Sequence, residues 1–194
     1  MVQSAIAPLS LEDFLKLPET TPASEFIQGK IHAKPMPQGQ HSRIQQKLVN
    51  TINQVAEDAL IALALPELRC TFGGQSTIPD IAVFTWDRLP LLENGNLANT
   101  FAIAPDWTIE ILSPQQPATR VTRNILHCLK HGSQLGWLID PGEQLILTYR
   151  ANNIPGLFEG DSTQPLPIPN WLPDLSLTPR QIFDWLQVPR PKTP

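Results

Sequence analysis

The sequence predicts an α/β domain in which a mixed β-sheet carries helices on its faces. Three observations predict it. Two short runs, residues 77–84 and 107–114, are almost continuously apolar and β-branched, the pattern of strands buried on both faces. Two longer stretches, 40–60 and 118–131, repeat apolar residues at helical spacing. Strand-like and helix-like segments alternate along the chain in the order helix, strands, helix, strands, helix, hairpin, helix.

Taken in order, Ser10 is placed to cap a short helix whose apolar side is Phe14, Leu15 and Leu17, and Pro18 stops it. Residues 20–24 read as a loop. Glu25 then precedes a strand over 26–33, with Gly29 at a hairpin or bulge position and Pro35 and Pro37 ending it. The clearest helix covers 40–60, with Ile44, Leu48, Ile52, Val55 and Ala59 on one stripe. His41, Arg43 and Lys47 stand at its start, where positive charge opposes the helix dipole. Strand pieces at 61–65 and 68–72 are separated by Pro66, and 73–76 form a turn. Residues 87–104 show no periodicity, and a loop of that length in a compact domain is functional or mobile. After Ser113-Pro114, a helix over 118–131 buries Val121, Ile125, Cys128 and Leu129, leaves Asn124 at the border of that stripe and ends at Gly132. Residues 135–140 and 144–150 form a hairpin. Thr178-Pro179-Arg180-Gln181 is a complete helix start, with Thr as cap, Pro first and Gln in the capping-box position.

The 194 residues suit a single domain, with a core over about 10–187 and a Pro-rich tail at 188–194. The net charge of −4 speaks against a dedicated nonspecific DNA binder, although local charge decides more than the sum. Cys70 and Cys128 offer neither zinc spacing nor a disulfide framework. There is no phosphate loop, dinucleotide glycine pattern or nucleophile elbow. No apolar run approaches a membrane span, and residues 1–9 lack the features of a signal peptide, so a cytoplasmic location is expected.

Asp80 and Glu110 lie inside the two apolar runs. An ionised carboxylate there costs several kcal/mol unless it is paired or binds a cation. On neighbouring strands, the two would face one gap and could hold a hard divalent cation. The simpler readings are an exposed strand-edge Asp80 and a Glu110 paired with Arg120 or Arg123. Pro79-Asp80, followed thirty residues later by Glu110-Ile111-Leu112-Ser113-Pro114, resembles the PD-(D/E)xK nuclease superfamily. More narrowly, it resembles the restriction-endonuclease family abundant in cyanobacteria. Glu25-Phe26-Ile27-Gln28-Gly29-Lys30-Ile31, the helix opening near His41, and the turn over 132–141 extend the likeness across residues 10–187. The resemblance implies a restriction-endonuclease-like fold with a C-terminal hairpin and helix, and hydrolysis of DNA phosphodiester bonds with Mg2+ or Mn2+. It also implies Asp80, Glu110 and the Ile111 backbone carbonyl as metal ligands and Glu25 as a supporting carboxylate. A homodimer is expected from the resemblance, and from five Trp that need covering.

The chain departs from that pattern at its cation. The superfamily's Lys two residues after the Glu falls on Leu112, and the narrower family's position in the next helix falls on Asn124. A neutral amide can hydrogen-bond a water but adds no charge. Arg120, one turn earlier, is the candidate substitute cation. His41 either reaches the metal site or a phosphate, or is a solvated histidine making one hydrogen bond, which is the simpler expectation. Beside a structural or oligomeric intracellular protein with no site, which metal binding would exclude, two functional readings stand. One is an endonuclease slowed by Asn124, in which Asn124→Lys raises the rate. The other is a catalytically inactive nuclease-fold protein that binds nucleic acid or protein.

Overall fold

The computed structural model describes residues 9–114 and 116–189. The signal-peptide question over residues 1–8, and the tail beyond residue 189, lie outside the described residues. Helix α1 (Leu11–Leu15) opens on Ser10, whose hydroxyl accepts from the Asp13 N–H. Strands β1 (Ser24–Ile27) and β2 (Lys30–Ala33) form a tight hairpin. Its turn residues Gln28 and Gly29 have φ of 51° and 76°, the double left-handed geometry that matches strand twist and favours glycine. Glu25 therefore lies within β1 rather than ahead of it, opposite His32.

Helix α2 (Gly39–Ala56) follows and is shorter than its apolar pattern suggests: Ala59 lies beyond it, and Leu60 adopts φ 54°. Strand β3 (Ala62–Pro66) includes Pro66 instead of being broken by it, because β3 is the edge of its sheet and no neighbour needs the missing N–H. Next come β4 (Cys70–Phe72) and β5 (Gln75–Thr77), so the turn is only Gly73-Gly74. Strands β6 (Ile81–Thr85) and β7 (Trp107–Ile111), helix α3 (Ala118–Lys130), β8 (Leu135–Asp140), β9 (Leu145–Tyr149), β10 (Gly156–Glu159) and helix α4 (Pro179–Asp184) complete the chain. The capping box at Thr178 and Gln181 forms as its residues require.

The expected single sheet is in fact two. A four-stranded sheet has the order β2-β1-β5-β4, and a six-stranded one the order β10-β9-β8-β7-β6-β3. The larger sheet is mixed because only β7 and β8 run parallel, and α3 is the crossover that parallel neighbours require. On one of its faces, Ile81, Val83, Ile109, Ile111 and Ile139 pack under Ile44, Leu48 and Ile52 of α2 and Ile182 of α4. Alternation sends Thr108 and Glu110 to the other face, where Val121 and Ile125 of α3 cover Leu138. Trp107 and Trp137 are core residues in edge-to-face contact, and the other three Trp are partly buried against apolar clusters. No helix among the described residues is long and apolar enough to cross a membrane.

Helix α3 lies so close to β8 that a Cβ on Gly136 would collide with Ile125 Cγ2. We expect Gly136→Ala to lower stability by about 1–3 kcal/mol through overpacking. Chemical denaturation of both proteins checks this.

Candidate active site

Only Ile78, Pro79 and Asp80 separate β5 of the small sheet from β6 of the large one. The site is built on this crossing. Extending the β6–β7 register, in which Ile81 faces Ile109, sets Asp80 opposite Glu110. The Asp80 carboxylate turns back across the strands, and its Oδ2 accepts the Ile111 N–H at 2.7 Å and lies 3.1 Å from His41 Nε2. Its backbone carbonyl accepts from Gln45 of α2 at 2.8 Å. Both carboxylates are buried, Asp80 at 2% exposure and Glu110 at 4%.

The hairpin supplies the rest. Glu25 of β1 accepts the Ile78 N–H at 2.8 Å through Oε1, and Asn124 of α3 approaches its Oε2 at 3.4 Å. Lys34, one residue past β2, places its ammonium 2.6 Å from Asp80 Oδ1 and donates to the Ile78 carbonyl. The Lys34 side chain is only 12% exposed. At that separation the two charges form a close ion pair, although no hydrogen bond of good angle reaches Oδ1.

These contacts move the titrations apart. Burial alone would raise the Asp80 carboxyl, but the Lys34 ammonium and His41 outweigh it and hold the group down at about 2. Glu110 goes the other way: burial, and then the Asp80 charge, push its carboxyl well above the ordinary range, and Lys34 offsets only part of this. Glu25 is raised by burial, against the pull of the Ile78 N–H and of Lys34. Burial opposes the Lys34 charge, but Asp80 and Glu110 more than compensate and raise its pKa.

Asp80 and His41 are thus in direct contact, as are Glu25 and Asn124, and Ile78 and Lys34 link the two pairs, with Glu110 across the extended register from Asp80. His41 is buried against Asp80 rather than solvated. Asn124 is buried, not at the border of its stripe. Arg120 is exposed on α3 and, like Arg123, makes no ion pair with a carboxylate among the described residues, so neither forms the bridge to Glu110 considered above. Lys34 escaped the sequence reading. The signal was present: a two-residue turn at 28–29 pairs 27 with 30 and 25 with 32, so Lys34 shares a strand face with Glu25.

The donor set fits a hard cation. Asp80 Oδ1 lacks a directed hydrogen bond, Glu110 accepts none from any side chain among the described residues, and the Ile111 carbonyl belongs to the residue whose N–H holds Asp80. No group of three or more His, Cys, Asp or Glu converges among the described residues. A site with two carboxylates, a carbonyl and water matches magnesium, which binds through one or two carboxylates and keeps several waters, better than zinc.

Comparison with known proteins agrees with this architecture. The Uma2 family model, described as "Putative restriction endonuclease", matches residues 11–180. A crystal structure described as a "putative nuclease" from Anabaena variabilis ATCC 29413 is 57% identical, with a TM-score of 0.89 over 93% of this chain and 100% of that one. No curated protein matches the chain.

Three buried carboxylates share one buried ammonium, so removing an acid and removing the base should have opposite effects. A carboxyl raised above its ordinary 4.5 favours the fold most below that value, and the benefit fades as pH rises through the folded pKa. Glu110→Gln should therefore raise the melting temperature in chelator at about pH 7.5, and raise it least near about pH 4.5. Lys34→Met should lower stability by about 3–5 kcal/mol, because it leaves buried charge uncompensated. Thermal and denaturant unfolding of the two variants in chelator checks both signs.

Proposed function

The chain belongs to the Uma2 family, and on that premise we propose that it is a divalent-metal-dependent nuclease that hydrolyses DNA phosphodiester bonds at Asp80 and Glu110. The observation that carries the reading is the pairing of those opposed, buried carboxylates with the Lys34 ammonium 2.6 Å from Asp80. Asp80, Glu110 and the Ile111 carbonyl would hold Mg2+ or Mn2+, which when bound neutralises phosphate charge and lowers the pKa of a coordinated water. Lys34 offers a charge-assisted donor to the phosphate oxygens on which negative charge grows in the transition state. His41 and the Ile111 N–H fix the Asp80 rotamer. Glu25, steadied by Ile78 and Asn124, holds Lys34 from the hairpin side and is placed to orient a water.

This assigns to Lys34 the role the family pattern gives to positions 112 and 124. The alternative, an inactive binding module, rests on the neutral Asn124 and weakens once an ammonium reaches the site from elsewhere. The test is nicking of supercoiled plasmid with Mg2+ or Mn2+. We expect activity in the natural protein and losses of about 100-fold or more in Asp80→Asn, Glu110→Gln and Lys34→Met. Asn124→Lys should add little while Lys34 is present but restore part of the rate in the Lys34→Met background. No activity in the natural protein, with no metal bound, favours the binding module.

A further inference from the structure

The strand that delivers Lys34 carries more than one cation. Lys30 and His32 of β2 and Lys34 just past its end alternate and so share a face, with Ile27 and Glu25 opposite the first two. Arg120 and Arg123 of α3 look onto that face across a groove of about 240 Å3, which Ile27, His32 and Asn124 also line. Burial, followed by the charges of Arg120, Lys30 and Arg123, holds the His32 imidazole below its ordinary value, so the three cations crowd one spot. None of the three forms an ion pair among the described residues. The only partner of the Arg123 guanidinium there is Gln28, at 3.5 Å. In a chain of net charge −4 this is a local excess of positive charge, and it is uncompensated. Its inner end is Asn124, which touches Glu25 of the candidate active site.

Resting on the nuclease reading, we infer that this groove is the track for the substrate's phosphodiester backbone, with Lys30, Arg120 and Arg123 holding phosphates beside the scissile one. Lys34 is then the innermost cation of one strand face, and the outer ones bind without taking part in the chemistry. The strand rise puts Lys30 roughly 13 Å from Lys34, about four nucleotides of rise along one duplex strand. A polyanion crossing the groove relieves the mutual repulsion of the cations. It also explains how an acidic chain can bind nucleic acid: focused local charge, not the total, sets the field a phosphate meets.

The test measures binding of a fluorescent 20-base-pair duplex, and of its single strand, in chelator over a series of salt concentrations. The proteins are the natural chain, Arg120→Ala/Arg123→Ala, Lys30→Ala, and a control, Lys16→Ala/Lys130→Ala, that removes the same number of charges elsewhere. Thermal unfolding of each confirms the fold. We expect the Arg120/Arg123 pair to weaken duplex binding at least tenfold and to flatten the salt slope by about 2, with Lys30→Ala changing it by about 1 and the control leaving it unchanged. If the groove variants keep the natural affinity and slope while plasmid nicking persists and is lost in Glu110→Gln, the track is wrong and the nuclease reading stands. If the natural chain binds neither probe and nicks nothing, both fall.

Discussion

Asp80 is the constraint on which the rest of the structure depends. It closes a three-residue passage between two sheets, and its polar groups tie β7, α2 and the hairpin to that passage. The carboxylate takes β7 through the Ile111 N–H, α2 through His41 and the hairpin through Lys34. The backbone carbonyl takes α2 again through Gln45. Two residues earlier, Ile78 binds Glu25 with its N–H and Lys34 with its carbonyl. Breaking a buried ion pair by removing one partner costs about 3–5 kcal/mol, a large fraction of the roughly 5–15 kcal/mol that keeps a domain folded. The relative position of the two sheets therefore depends on the same charges that would do the chemistry.

A fold optimised for stability alone would not contain this cluster. Replacing buried charge by apolar side chains is often neutral or stabilising, and here the carboxylates outnumber the ammonium. The imbalance makes sense if a further cation is expected. Asp80 is driven down to about 2 and Glu110 well up from its ordinary value, although both lie on one sheet at opposed register positions. Environments that push paired carboxylates apart in this way mark functional sites more often than structural ones. Lys34 and His41 lie against Asp80 and pull it down, whereas burial and the Asp80 charge push Glu110 up.

The parts legible in the sequence were those governed by local chemistry. Apolar continuity marks β6 and β7, and the carboxylates just ahead of one and within the other are conspicuous because such residues rarely sit there unpaired. The α4 capping box is a short-range pattern and forms as written. The parts that escaped depend on partners distant in sequence. Pro66 looks like a breaker until β3 is known to be an edge strand. The split into two sheets turns on a crossing of only three residues, whose Pro79 by itself reads as readily as the start of a strand. β10 is a four-residue edge strand, too short for its alternation to stand out. His41 was weighed as a solvated residue because a helix start is usually exposed; it is buried because Asp80, 39 positions along the chain, comes to lie against it.

On the proposed reading, Lys34 fills by another route the place that a spacing rule assigns to position 112 or 124. What phosphoryl chemistry needs is an ammonium at a place, and a lysine stem of four carbons can reach that place from more than one side. In this fold the β1–β2 hairpin and α3 face each other across the contact between Glu25 and Asn124. A lysine on α3 would approach from one wall, and Lys34 approaches from the other. Both walls filled would put two ammonium groups in one buried pocket, where their repulsion is weakly screened. A neutral Asn124 is then the residue expected opposite an occupied cation position: small enough to leave room, polar enough to hold Glu25, and without a charge of its own. On the proposed reading, the neutral residue at position 124 is compatible with a working site, because Lys34 already supplies its charge.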